Sequence, residues 1–182
     1  PGNHDAISVM REKQSLDRCC PVVIEQQDWR IILLDSTVPG KVPGNFADEQ
    51  LAFLQRSLEQ TKDYHVMVCM HHQPVEVGCP WLDSQIIGNA DKLFSVLDQF
   101  DHVKALVWGH VHQVYEGERQ GVKLFSVPST CVQFQPDSVD FAVDDKAPGY
   151  RWFDLYPDGK IETAVSRVEE VAFEVDYTIK GY

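Results

Sequence analysis

The sequence contains seven histidines, and five of them fall into three short clusters. His4 lies in Gly2-Asn3-His4-Asp5, His71 and His72 precede Gln73-Pro74, and His110 and His112 share Gly109-His110-Val111-His112. Imidazole, amide oxygen and carboxylate make a donor set of hard and intermediate ligands, suited to Mn, Fe(II), Co, Ni or Zn rather than to a thiolate cluster. Cations held by such donors do hydrolytic chemistry by polarising a substrate oxygen and acidifying water. Residues i and i+2 of an extended segment face the same side. His110 and His112 are therefore expected to present two rings to one place, able to serve two adjacent cations, with Gly109 permitting close backbone approach. His71-His72 has a similar placement, where a strand runs into a proline-stopped loop. His65 and His102, each just ahead of a strand, read as surface or hydrogen-bonded structural residues.

Positioning these clusters requires a sheet. Val22 to Glu25 and Trp29 to Leu34 are β-branched apolar runs split by Gln26-Gln27-Asp28, a strand-turn-strand pattern. Leu51, Leu54 and Leu58 form a helical stripe with Asp48 and Glu49 in the first turn, where the helix dipole favours acids. His65 to Met70 and Val103 to Trp108 read as strands. Between them Leu93, Val96, Leu97 and Phe100 mark one face of a helix starting near Asn89. Val122 to Val127, Arg151 to Tyr156 and Ile161 to Val168 make the last third β-rich, and residues 135–149 read as a long acidic loop, either a solvated excursion or a lid or contact loop near a site. The three histidine clusters fall at strand ends and so are expected to meet.

The expected fold class is a layered α/β domain, with mixed β-sheets packed together and helices outside. At 182 residues, the whole chain, 1–182, is expected to form a single domain. Sixteen basic against 28 acidic residues leave a net charge of −12, which argues against a nucleic-acid partner held by a basic surface. No apolar run is long enough to span a membrane. Five cysteines, an odd number with Cys19 and Cys20 adjacent and no CxxC spacing, fit structural thiols in a reducing cytoplasmic setting. Cys79 and Cys131 lack an adjacent base in sequence.

Through GNHD at Gly2 to Asp5, HHxP at His71 to Pro74 and GHxH at Gly109 to His112, the chain resembles the calcineurin-like metallophosphoesterase family. Within it, three further segments resemble those of bacterial cyclic-AMP phosphodiesterases: residues 78–83 (GCPWLD), 128–134 (PSTCVQF) and 147–151 (APGYR). The resemblance implies that a cyclic nucleotide, 3',5'-cyclic AMP, is hydrolysed to 5'-AMP at two divalent ions, Fe(II) or Mn(II). It implies Asn3, His71 and His110 as ligands of one ion, His112 as a ligand of the other, and His4 as the catalytic histidine that protonates the departing oxygen. Asn3, His4 and His112 would also touch the substrate. Asp5 would either orient the His4 ring or cap the following segment, and His72 resembles a motif neighbour rather than a ligand. Trp81, Phe134 and Tyr150 would anchor loops or stack on a base.

The family's Asp-x-His and Gly-Asp-x-x-Asp motifs, the latter supplying a bridging carboxylate, have no counterpart here. The chain is therefore expected to be the C-terminal two-thirds of a longer enzyme, binding one ion or none and inactive alone. It is also expected to form a homo-oligomer through exposed sheet edge. Two other readings stay open: a metallophosphoesterase for another phosphomonoester or diester, and a non-catalytic piece used for assembly or regulation.

Overall fold

The computed structural model describes residues 1–12, 22–169 and 174–178. Cys19 and Cys20 lie outside the described residues. Val23–Gln26 (β1) and Trp29–Leu33 (β2) pair antiparallel across a tight turn. His65–Met70 (β3), Val103–Trp108 (β4) and Val122–Ser126 (β6) continue the sheet in parallel, and Glu116–Arg119 (β5) pairs antiparallel with β6. The order is β1-β2-β3-β4-β6-β5. The parallel strands β3 and β4 are near-continuous apolar runs because both of their faces are covered.

Alternation divides the core between those two faces. Ile32, Val66, Val68, Met70, Leu106, Trp108 and Leu124 pack towards two helices, Asp48–Glu59 (α2) and Ala90–Leu97 (α4). There they meet Leu51, Leu54 and Leu58 of α2 and Leu93 and Leu97 of α4. Burying each of these leucines contributes about 1.5–3 kcal/mol. Between Val66/Val103 and Met67/Ala105 the register slips past Lys104, so Val103 and Leu106 both face the helices. Trp29, Met67, Ala105, Val107 and Phe125 line the opposite face. The hairpin of Gly149–Leu155 (β9) and Ile161–Arg167 (β10) covers them through Phe153, Leu155 and Ile161. The helix, sheet and hairpin layers agree with the layered α/β architecture read from the sequence.

Several elements depart from that reading. A helix at Ile7–Glu12 (α1), a helical turn at Pro80–Asp83 (α3) and β5 carried no clear periodicity. Asn89 precedes α4 but does not cap it. Its side chain accepts from Phe46 N–H and donates to Phe46 O, both at 2.9 Å, which ties the loop ahead of α2 to the start of α4. Within the acidic loop Val143–Asp144 (β8) pairs with Gln133–Phe134 (β7), the two residues just ahead of the loop. It is pinned by Phe141 against Trp81, with ring centroids 5.3 Å apart, and by the buried Cys79 thiol near Ser138 O. Of the two readings of this stretch, these contacts match the contact loop and not the solvated excursion. No helix among the described residues is long and apolar enough to cross a membrane.

Candidate metal centre

Met70 and Trp108 are register partners at the carboxyl ends of two adjacent parallel strands. The chain leaving each strand is therefore brought side by side, at the place where open α/β sheets bind ligands. Gly109 N–H donates to His71 O at 3.1 Å, so the two histidine motifs begin in register. The third motif closes on itself. Asp5 N–H donates to Gly2 O at 2.9 Å and Gly2 N–H donates to Asp5 Oδ2 at 2.6 Å. Asp5 thus closes the Gly2–Asp5 turn.

Three donors converge. Asn3 Oδ1 lies 2.9 Å from His71 Nε2, and His110 Nδ1 lies 3.2 Å from the same nitrogen. These residues come from segments separated by 68 and 39 positions. The protonation pattern follows from the outer partners. Gln85 Oε1 accepts from His110 Nε2–H at 3.0 Å, which leaves Nδ1 as a bare lone pair. The proton on His71 Nε2 then faces Asn3 Oδ1 and His110 Nδ1 together. Two donors each about 2.1 Å from one ion and at right angles lie about 3.0 Å apart, so the observed spacings fit a cation in that proton's place.

His112 stands next to this group. Its Nδ1–H donates to Val132 O at 2.9 Å, leaving Nε2 as the available lone pair, and its ring stacks on Phe134 at 4.2 Å with planes 5° apart. Phe134 in turn meets Trp81 at 5.1 Å, so Trp81 and Phe134 act as loop anchors. Tyr150 is instead exposed on β9. His4 is exposed, and its charge opposes protonation of both His110 and His112.

Sequence spacing misplaced the origin of this geometry in two ways. Residues 109–112 do not continue the strand. His110 at φ 62° and His112 at φ 48° are both left-handed, and Val111 N–H reaches Gly109 O at 2.6 Å around His110. Two adjoining left-handed kinks, a backbone state that costs free energy for a residue with a Cβ, direct the rings. Gly109 is also not the close approach, because a Cβ there would sit an ordinary 3.7 Å from His71 Nδ1. That role belongs to Gly2, where a Cβ would lie 2.6 Å from His71 Cε1. Gly2→Ala is therefore expected to push the His71 ring aside and weaken Mn(II) binding about 10-fold or more, with a smaller effect from Gly109→Ala. Calorimetric titration of both variants checks this, and equal affinities would contradict it.

One ring nitrogen each of His71, His72 and His110 lies within 4.8 Å of the others, but His72 is already engaged on both sides. Its Nε2–H donates to Val42 O at 2.9 Å, and its Nδ1 accepts from the Ser36 hydroxyl at 2.8 Å. It is fully buried and packs against Gly44, where a Cβ would lie 2.6 Å from His72 Cγ. His72 is a structural residue beneath the site. His65 is structural too, with Nε2 3.0 Å from Pro157 O. His102 is buried against Phe100 with Nε2 unpaired among the described residues, neither surface nor fully hydrogen-bonded.

Burial keeps these imidazoles neutral. Desolvation, reinforced by the charge of His72, pushes His71 down to about 4. Desolvation and the charges of His72 and His71 push His110 down to about 3. His112 is also lowered, again by desolvation first. Neutral imidazole is the form that binds a metal. The donor set therefore fits a divalent cation.

The chain is 41% identical over 181 residues to the 3',5'-cyclic adenosine monophosphate phosphodiesterase CpdA of Pseudomonas aeruginosa and 39% identical over 185 residues to that of Escherichia coli (strain K12). Both matches cover all of this chain, and they cover 66% and 67% of the relatives. It is 34% identical to a 3',5'-cyclic-nucleotide phosphodiesterase of Nostoc over 92% of the chain and 64% of that protein. It thus spans about two thirds of the length of these curated relatives. No protein-family model matches. Among solved structures, a dimetal phosphatase from Danio rerio aligns with a TM-score of 0.58 at 16% identity, covering 84% of this chain and 66% of that one. The fold is shared with that phosphatase, and the sequence goes further: the chain belongs to the family of the bacterial 3',5'-cyclic-AMP phosphodiesterases.

Proposed function

We propose that the protein carrying this chain hydrolyses 3',5'-cyclic AMP to 5'-AMP in a metal-dependent reaction, and that residues 1–182 form one domain of it. Asn3, His71 and His110 hold one divalent ion, Fe(II) or Mn(II), and His112 contributes to a second. The observation that carries this reading is the meeting of Asn3 Oδ1, His71 Nε2 and His110 Nδ1 at 2.9 and 3.2 Å. The substrate is supported by the activity named for the relatives. Divalent ions bound there supply Lewis acidity towards the phosphoryl oxygens and the attacking water.

The chain's own residues supply orientation and proton transfer. The Gln85 and Val132 carbonyls fix which nitrogen of His110 and of His112 faces inward. His4, at the exposed mouth, donates a proton to O3' as the P–O3' bond breaks and the 3'-hydroxyl forms. A reducing, cytoplasmic setting is supported by the unpaired Cys69, Cys79 and Cys131. The β1 edge, with Val22 and Ile24 exposed, supports pairing with a second copy; a sedimentation profile of monomer at every concentration would contradict that pairing.

The test is turnover of cyclic AMP with Mn(II) or Fe(II), run on this chain and on a chain extended to the relatives' full length. The expected result is metal-dependent 5'-AMP from the extended chain. Hydrolysis of p-nitrophenyl phosphate without any 5'-AMP would overturn the substrate, and metal-independent turnover would overturn the mechanism.

A further inference from the structure

We propose that Gln85 is the positioning residue of His110: its side-chain carbonyl takes the Nε2 proton and so aims a bare Nδ1 at Asn3 and His71. This rests on the reading of His110 as a metal ligand. The backbone places the His110 ring but cannot choose its tautomer. The three-residue turn around His110 sets where the imidazole lies, and either nitrogen could carry the proton there. The choice falls to whatever meets the outward nitrogen, and that is Gln85 Oε1 at 3.0 Å. His112 has the same device in a different form, because its outward nitrogen meets a backbone carbonyl, Val132 O. His110 depends instead on a side chain, and a side chain can be replaced.

Gln85 is held for this purpose from two sides. Its own N–H donates to Leu82 O at 2.9 Å at the end of α3. The same Leu82 O accepts from Gln73 Nε2 at 2.6 Å, and Ile87 N–H donates to Gln73 O at 3.1 Å. Gln73, Leu82 and Ile87 are all buried. Upstream, the Asp83 carboxylate accepts from Val77 N–H at 2.8 Å and Gly78 N–H at 3.1 Å, which fixes the entry to α3. The segment bearing Gln85 is thereby tied to Gln73, two residues after His71, so one rigid connection sets His71 and the partner of His110 together. A carboxamide accepts the proton without adding charge beside the ring. A glutamate would accept it too and make the imidazole a stronger donor.

The experiment uses the whole chain with Gln85→Met, Gln85→Leu, Gln85→Glu and His110→Ala. Mn(II) affinity is read by titration with electron paramagnetic resonance of free Mn(II). The tautomer of His110 is read in the metal-free protein by long-range proton–nitrogen correlation of labelled imidazoles. Wild type is expected to show His110 protonated at Nε2. Gln85→Met and Gln85→Leu are expected to lose that single tautomer and bind Mn(II) about 10–100-fold more weakly, whereas Gln85→Glu keeps both properties. Using two apolar variants keeps the test valid if one fails to fold. If His110→Ala weakens Mn(II) binding but the apolar variants keep wild-type affinity and an Nε2–H tautomer, the role of Gln85 is overturned while the ligand reading stands. If His110→Ala binds Mn(II) like wild type, the ligand reading falls, and an Nε2–H tautomer retained in both apolar variants then rejects the role of Gln85 independently.

Discussion

His71→Ala is expected to lower Mn(II) affinity by more than about 100-fold while the chain stays folded, and His72→Ala is expected to do the reverse. Removing an outer partner of a metal ligand costs about 10–100-fold, so losing the ligand that faces both Asn3 and His110 costs more. His72 faces neither Asn3 nor solvent. Its removal leaves the Ser36 hydroxyl and Val42 carbonyl without their partner in a buried place and opens a cavity beside Gly44. An unsatisfied buried group costs about 1–3 kcal/mol, and a large-to-small change in a core adds to it. A loss of about 3 kcal/mol or more is expected in urea unfolding, with metal affinity in the surviving native fraction within a few-fold of wild type. A His72→Ala protein with a native unfolding midpoint and no metal binding would exchange the two roles.

The metal-free chain is also expected to lose stability steeply as the pH falls below about 6.5. In the fold His71 is pushed down to about 4 and His110 to about 3, both chiefly by desolvation, from an ordinary value of 6.5. Between those limits the unfolded chain binds protons that the native cluster refuses, so unfolding is favoured as the pH drops. The native advantage is therefore complete above 6.5 and falls away towards 4 and then 3. At pH 5 the cost is on the order of 2 kcal/mol for each ring. That is a large share of a typical folding stability of about 5–15 kcal/mol. Urea midpoints at pH 7, 6 and 5 measure it, with His110→Gln expected to flatten the slope. A midpoint unchanged from pH 7 to pH 5 would contradict the buried neutral cluster.

Side-chain chemistry was more legible in the sequence than backbone shape. Asn3, His71 and His110 carry the donor chemistry whatever the fold, and the apolar runs of β3 and β4 predict strands that end beside them. What strand periodicity cannot show is a left-handed residue. His110 and His112 look like alternating strand positions, yet φ values of 62° and 48° place them in a kinked loop. The sequence also puts a glycine beside both His110 and Asn3, but only packing reveals that Gly2, not Gly109, makes room for the His71 ring. His71 and His72 are chemically identical in sequence. The family resemblance alone reads His71 as the ligand and His72 as its neighbour, and the physical difference is in the residues meeting each ring, one facing Asn3 and the other enclosed by Ser36 and Val42. Gln85 carried no signal, since a polar residue after a short helical turn reads as surface. β5 was missed because Glu116–Arg119 has four residues with little apolar content and pairs at a sheet edge.

Anomalous diffraction from crystals of this chain soaked in Mn(II) examines the central arrangement most directly. The expected map holds a manganese peak bonded to Asn3 Oδ1, His71 Nε2 and His110 Nδ1 at about 2.0–2.2 Å, with Gln85 still receiving the His110 Nε2 proton. A peak on other side chains, or none in a crystal where these three donors turn away from one another, would contradict it.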